Sequence, residues 1–268
     1  MRNPELPAAV FTAIQAGDVE QLKILYNPNL ALNDIAIHAA KAKRPQILEW
    51  CYAQGWKTLP ESLNDDFYVA AMCSSSTDIF QVLLNHGWEI NKHKTETLGD
   101  ALSSAAMYGE YDFAKWLLEH GHEVNPCEPM HGGCSIIATL VGYHASTDML
   151  RLLLDHGFKL DGYGAAAAAA DEGNVEGLKL LLAHGGFDID ERNMLWYPFD
   201  DDVDELEDSE GSALYRACRQ GHLKCAELLL DHGADPSATD IGGISCIEIA
   251  KVRGHADIVD LLKSKGEA

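Results

Sequence analysis

A Leu-rich segment that ends near a glycine recurs along the chain, and this repetition constrains the fold more than any other feature. Seven copies share this ending, at Gly55, Gly87, Gly121, Gly157, Gly185, Gly233 and Gly266. The glycine-to-glycine steps are 32, 34, 36, 28, 48 and 33 residues. A period of about 20 to 50 residues is typical of arrays that stack one small supersecondary unit. The 48-residue step indicates an insertion.

The Leu-rich segments have the polar pattern of an α-helix with one solvent-facing stripe. Polar residues fall at i, i+3 and i+7 while Leu, Ile and Phe fill most of the positions between them. Five copies agree: Asp78, Gln81 and Asn85; Asp112, Lys115 and Glu119; Asp148, Arg151 and Asp155; Lys224, Glu227 and Asp231; Asp257, Asp260 and Ser264. We therefore predict a helix that buries its remaining sides against neighbouring units.

The histidines and aromatic residues around each glycine have a structural interpretation. A left-handed glycine reverses the chain after the helix, and the histidine before it is placed to bond to the last helical carbonyls. This applies to His86, His120, His156, His184 and His232, while His222 and His255 begin second helices. Trp56, Trp88, Phe158 and Phe187 follow the glycines. They are expected to pack between units, or else to form an exposed stripe for a partner.

Two C-terminal segments carry the motifs of a known family. Residues 212–240 and 240–266 contain Gly-His between two helical segments, and the first also contains Gly-Ala-Asp. In these features the chain resembles the ankyrin repeat family. The resemblance implies an all-α solenoid of helix-turn-helix units with extended finger loops, the connections between units. It also implies partner binding on the fingers and the first helices, without a common catalytic apparatus.

We predict one domain of eight divergent units. Their approximate bounds are 6–29, 34–56, 65–88, 99–122, 134–158, 164–187, 211–234 and 243–266, with an insertion at 188–210. Units two, three and five lack a glycine at the turn between their helices and have Lys43-Arg44-Pro45, Ser74-Ser75-Ser76 and His144-Ala145-Ser146 there.

Charge and composition restrict the partners. With 42 acidic and 20 basic residues the net charge is −22, which disfavours nucleic acids and anionic membranes and favours a basic protein face. The sequence has no run of about 18 apolar residues, so it predicts no membrane-spanning helix. The start of the chain lacks the features of a signal peptide. The cysteines lie mostly in apolar helical segments, which suits a reducing compartment. We expect a cytoplasmic protein, or a nuclear one, that is not secreted.

The insertion has an aromatic half and an acidic half. Trp196, Tyr197 and Phe199 precede a run with eight carboxylates among residues 200–210. The acidic half is expected to be a solvated loop; alternatively, the insertion forms a lid or hook over the concave face of the array. The aromatic half is expected to pack on the array or on a ligand.

Six consecutive alanines suggest a second unusual feature. Ala165 to Ala170 form the predicted first helix of unit six, between bulkier groups in neighbouring units. This favours either a closely packed helix or a pocket near Ala166–Ala170, edged by Tyr143, Tyr215 and Trp196. The candidates for contacting a ligand or partner are Tyr108, Tyr143, His144, Tyr163, Ala166, Ala169, Trp196, Tyr197, Tyr215 and Arg216.

The motifs favour binding rather than catalysis. His122, Cys127, His131 and Cys134 share one loop, but their spacings match no familiar zinc module, so we predict a structural finger without metal. The sequence contains no G-x-S-x-G, P-loop or H-E-x-x-H motif, and we predict neither an enzyme nor a cofactor. The leading hypothesis is a non-catalytic module that binds a protein with a basic or mixed surface through its concave groove and finger loops. One alternative is a small-molecule-binding, accessory or enzymatic protein of a metabolic pathway, with a pocket near repeat six under the 188–210 insertion. The other is a scaffold or inhibitor subunit.

Overall fold

The protein is built from helix pairs. The computed structural model describes residues 6–57, 65–92, 99–124, 140–141, 146–160, 164–194 and 210–266. These residues are helical apart from loops and one pair of two-residue strands, so the predicted all-α fold is confirmed. The chain divides into two compact units, Met1–Glu123 and Val124–Ala268. A single domain of eight repeats therefore stays a prediction.

The first compact unit contains four helix pairs. They are α1 Ala8–Ala16 and α2 Val19–Leu25; α3 Leu32–Lys41 and α4 Pro45–Ala53; α5 Asp65–Ser74 and α6 Thr77–Asn85; α7 Ala101–Met107 and α8 Tyr111–Glu119. The first helices α1, α3, α5 and α7 contact one another in order, and α2, α4 and α6 form a second row. Each pair thus buries its apolar side against the next pair.

The second compact unit continues the pattern. Its described helices are α9 Thr147–Asp155; α10 Ala165–Asp171 and α11 Val175–His184; α12 Ala213–Gln220 and α13 Leu223–Asp231; α14 Cys246–Arg253 and α15 Ala256–Gly266. Helices α10, α12 and α14 form one row, and α9, α11, α13 and α15 form the other. Strands β1 Asn193–Met194 and β2 Glu210–Gly211 pair antiparallel between α11 and α12.

The predicted polar stripe is confirmed in all five copies, because every one of its residues is exposed. The histidine caps are confirmed at three helix ends, where Nδ1–H of His120, His156 and His232 donates to the carbonyl oxygen four residues earlier at 2.8 Å. His86 differs: it stacks on Tyr52 and its Nε2 lies 2.7 Å from a Glu49 carboxylate oxygen.

The aromatic residues after the helix-ending glycines are mainly part of the core. Trp56, Trp88 and Phe158 are buried, which confirms packing within the array over an exposed stripe. Phe187 is half-buried.

The turn inside each helix pair requires a left-handed residue. Gly17, Gly109, Gly173, Gly221 and Gly254 occupy this position with φ between 69° and 84°. Units two and three place Lys43 (φ 55°) and Ser75 (φ 49°) there instead. These side chains strain the backbone, because a Cβ atom in the left-handed region crowds the following carbonyl oxygen.

Replacing both strained residues by glycine should stabilise the protein. Lys43→Gly with Ser75→Gly relieves a strain of about 1–2 kcal/mol at each site, offset by about 0.5–1 kcal/mol of added freedom in the unfolded chain. We expect each change to raise the free energy of unfolding by about 0.5–1 kcal/mol, measured by urea titration.

Gly109→Ala is the matched control, since no atom lies within 4 Å of the added Cβ and φ is 72°. It should destabilise the protein by about 1 kcal/mol. Equal effects of the two kinds of change would contradict the interpretation of strain.

Candidate functional site

The candidate residues fall into three groups. Tyr143, His144, Tyr163, Trp196 and Tyr197 lie outside the described residues, as do Cys127, His131 and Cys134 of the proposed structural finger. Tyr108 lies on the surface of the first compact unit, 60 % exposed at the end of α7. Ala166, Ala169, Tyr215 and Arg216 lie in the second compact unit and are buried.

The alanine helix is a packing element along most of its length. Residues Ala165 to Ala170 are all buried, and α10 packs closely against α12 because methyl side chains let the two helices approach. The hypothesis of close packing is therefore correct for Ala169 and Ala170. A pocket spanning Ala166–Ala170 is not what the described residues form.

A small hollow remains at the start of this helix. Leu160, Gly164, Ala165–Ala167 and Ala213 form one side, and Phe187–Ile189 with Glu191 form the other. Its cavity volume is about 10 Å³, which is room for about one water molecule. Ligand pockets for small organic molecules are typically about 300–1,000 Å³. Of the expected lining residues the hollow contains Ala166, but neither Ala169 nor Tyr215.

Tyr215 links a helix to the next finger rather than edging a pocket. Its side chain is buried, and its hydroxyl donates to a carboxylate oxygen of Asp240 at 3.0 Å. Its ring also lies against Gly211, where an added Cβ would come within 2.6 Å of it. The Tyr215 hydroxyl is therefore engaged in a contact within the fold.

Arg216 is likewise an interior residue, and expecting it on a binding surface was wrong. It is 1 % exposed, and its guanidinium Nη1 lies 3.5 Å from a carboxylate oxygen of Asp171. Arg219 approaches the same oxygen at 3.8 Å, and the Gln220 amide donates to it at 3.3 Å. The backbone carbonyl of Asp171 accepts from His222 at 3.0 Å. The group joins unit six to unit seven.

The loss of Asp171 should be costly. Asp171→Ala removes the carboxylate that faces two guanidinium groups in the interior, so we expect the free energy of unfolding to fall by about 3 kcal/mol. Urea titration measures the change. Asp148→Ala removes an exposed partner of Arg151 at 3.6 Å and should cost less than about 1 kcal/mol. Similar losses in the two variants would show that the Asp171 group contributes no more than a surface pair.

The insertion leaves the array between two paired strands. Asn193 pairs with Gly211 and Met194 with Glu210. Residues 195–209 therefore connect the two paired positions 194 and 210. The residues just before β1 belong to the array: the Asp190 carboxylate accepts from the backbone N–H of Asp235 at 3.0 Å. The predicted insertion 188–210 thus includes residues that tie one finger to the next.

This pairing predicts a loop that can be shortened. Replacing residues 195–209 by Asn-Gly supplies the two-residue turn that closes such a ladder. We expect unchanged or higher stability in a thermal melt, because the shorter loop reduces the entropic cost of loop closure by about 1–2 kcal/mol.

Deleting 188–210 is the control, and it should destabilise the protein because it also removes the contact between Asp190 and Asp235. A loss of more than about 2 kcal/mol in the Asn-Gly variant would show instead that 195–209 contributes to the folded core.

The buried thiols are poor nucleophiles. Burial raises the pKa of Cys51 to about 12 and that of Cys225 to about 11. The pKa of Cys218 is also raised, first by its contact with the Cys246 thiol and then by burial. Because the thiolate is the reactive form, these cysteines are structural at neutral pH.

A pair of exposed isoleucines lies at the tip of the finger between α13 and α14 and was not predicted from the sequence. Ile241 is 64 % exposed and Ile244 is 43 % exposed. The available signal was two aliphatic residues around Gly242-Gly243, where a finger is normally polar.

None of the described helices is long and apolar enough to cross a membrane. Within the described ranges no group of three or more His, Cys, Asp or Glu residues is arranged to hold a metal ion.

Comparison with known proteins agrees with this architecture. The family model for ankyrin repeats matches residues 10–128 and 194–268. The chain is 26 % identical over 212 residues to the ankyrin repeat protein YahD of Escherichia coli (strain K12), covering 77 % of this chain and 98 % of that protein. It is 30 % identical over 100 residues to the potassium channel AKT1 of Arabidopsis thaliana, covering 37 % of this chain but 10 % of the channel.

Among solved structures, an ankyrin repeat domain from Acinetobacter baumannii AYE superimposes with a TM-score of 0.55. The two sequences are 23 % identical, and the match covers 86 % of this chain and 97 % of that one. This likeness supports the fold.

Proposed function

Because this chain belongs to the ankyrin repeat family, we propose that it is a non-catalytic module that holds a protein partner on its fingers and first helices. Ankyrin repeats are generally protein–protein interaction modules, and the family is generally non-enzymatic. The second helices turn a regularly spaced polar stripe to solvent, whereas the first helix α1 and the end of α7 expose aromatic side chains.

The observation that carries the proposal is the size of the hollow beside the alanine helix. A volume of about 10 Å³ is too small for an organic substrate, so the described residues favour a partner that binds to a surface. The alternative of a small-molecule pocket at unit six receives no support from this geometry.

Exposed aromatic side chains on the first-helix row support the same proposal. Phe11 on α1 is partly exposed and meets His38 of α3 edge-on, with ring centroids 5.2 Å apart. Tyr108 extends from the end of α7. Rigid aromatic side chains are the commonest anchors at protein interfaces.

Net charge indicates the kind of partner. At −22 the chain favours a basic face, and complementary charge mainly raises the association rate. The proposed compartment is the cytoplasm, with the nucleus as the alternative. Free thiols at Cys51, Cys73, Cys218, Cys225 and Cys246 suit either.

Affinity purification of the full chain from its native host, followed by titration of the recovered partner, tests the proposal. Tyr108→Ser combined with Phe11→Ser should lower the affinity for the partner at least about tenfold, because both changes remove exposed aromatic side chains. Raising the salt from about 0.1 M to about 1 M shortens the Debye length from about 10 Å to about 3 Å and should slow association.

Ile24→Ser is the matched control, because Ile24 is 78 % exposed but lies on the second helix α2. It should leave the affinity unchanged. Failure to recover any stoichiometric protein, or an equal loss in the control, would count against the proposed surface.

A further inference from the structure

The finger between α13 and α14 presents an apolar tip to solvent. We define the finger-tip patch as Ile241 and Ile244, with Gly242 and Gly243 between them; both isoleucines are exposed. A single exposed aliphatic residue is ordinary on a protein surface. Ile241 and Ile244 stand on either side of two glycines, so the tip of this loop carries two exposed apolar side chains.

The patch stands on an ordered loop. The backbone N–H of Asp240 donates to the carbonyl of Ile244 at 3.0 Å, and the N–H of Ile244 donates to the Asp240 carboxylate at 2.7 Å. Gly243 takes φ of 82°, and Thr239 bridges to Ser245 below the tip. Because the loop is already ordered, a partner that binds it loses little conformational entropy.

Interior residues and the preceding finger hold this loop in place. The buried hydroxyl of Tyr215 donates to the second carboxylate oxygen of Asp240 at 3.0 Å. Asp190 accepts from the N–H of Asp235, and an Arg192 Nη donates to the Thr239 hydroxyl at 3.4 Å. The fingers at 186–193 and 234–245 therefore form one connected surface.

That surface is acidic around its apolar tip. The two fingers contain one cationic residue, Arg192, and five carboxylates: Asp188, Asp190, Glu191, Asp235 and Asp240. Among the ion pairs of the described residues, none includes one of these five. Backbone and hydroxyl donors hold Asp190, Asp235 and Asp240 without neutralising their charge.

We propose that the finger-tip patch docks a basic protein segment in which an aliphatic or aromatic residue is flanked by Lys or Arg. The apolar residue covers Ile241 and Ile244, and the flanking cations face the carboxylates of the two fingers. An apolar centre with a charged rim is the usual arrangement of a protein interface. Nucleic acids and anionic membranes carry the wrong charge for this surface. The inference rests on the proposed function and specifies the chemistry of the partner.

A peptide titration tests this directly on the full chain. The probe is a fluorescein-labelled peptide in which two leucines are flanked on both sides by lysines, and fluorescence anisotropy measures its dissociation constant. Two matched peptides replace the leucines by serine or the lysines by glutamate. We expect the Leu/Lys peptide to bind at least about tenfold more tightly than either.

Ile241→Ser combined with Ile244→Ser should weaken binding of the Leu/Lys peptide at least about tenfold and leave binding of the Ser/Lys peptide unchanged. Only the Leu/Lys peptide has apolar side chains that can contact the two isoleucines. Val252→Ser is the matched control: Val252 is 79 % exposed on α14 of the same repeat but lies outside the finger. It should leave binding of both peptides unchanged. Thermal melts of all variants check that the array stays folded.

Several outcomes would overturn the proposal. They are equal affinities for the Leu/Lys and Ser/Lys peptides, equal losses in the Ile and Val variants, and no binding up to about 1 mM peptide. Tighter binding to phosphatidylserine vesicles or duplex DNA would also overturn it.

The partner recovered by affinity purification separates this inference from the proposed function. A partner that still binds the Ile241/Ile244 variant but loses affinity for the Tyr108/Phe11 variant would leave the proposed function standing and this patch unsupported.

Discussion

The close approach of neighbouring first helices is the constraint on which the rest of the structure depends. An alanine lies four residues before the left-handed residue that separates the two helices of a pair. The seven examples are Ala13 and Gly17, Ala39 and Lys43, Ala71 and Ser75, Ala105 and Gly109, Ala169 and Gly173, Ala217 and Gly221, Ala250 and Gly254. All seven alanines are buried. In six of these turns the next residue donates its N–H to the carbonyl of that alanine. A methyl group at this point lets the adjacent first helix pack closely while the left-handed residue ends the helix.

This constraint explains the burial of Ala169 in the alanine helix of unit six. Ala169 occupies the same position as alanines in the other repeats, so its burial belongs to the repeat and not to a ligand site. The unusual feature of unit six lies beside it: Asp171, at the end of α10, faces Arg216 and Arg219 from the next repeat. Each of these charges depends on a partner in the neighbouring repeat, because a buried charge that loses its partner is strongly destabilising.

The same packing fixes the position of a finger. Tyr215 uses its hydroxyl to hold Asp240, and Asp240 shapes the loop that exposes Ile241 and Ile244. A residue of the core thus positions a surface for recognition. Asp190 and Arg192 of the preceding finger contact Asp235 and Thr239, so two acidic fingers meet beside the apolar tip.

Local chemistry by itself determined the helices, their turns and their solvent faces. The stripe that begins at Asp112 and the cap at His120 depend on residues within about two helical turns, so periodicity predicted them correctly. Arg216 and Tyr215 were misplaced because their partners, Asp171 and Asp240, lie 45 and 25 residues away in sequence, and only the stacking of repeats brings them together. Only the tertiary structure decided which polar side chains form buried contacts between repeats and which apolar side chains remain exposed. The reason is that the burial of a residue in a repeat array depends on the neighbouring unit.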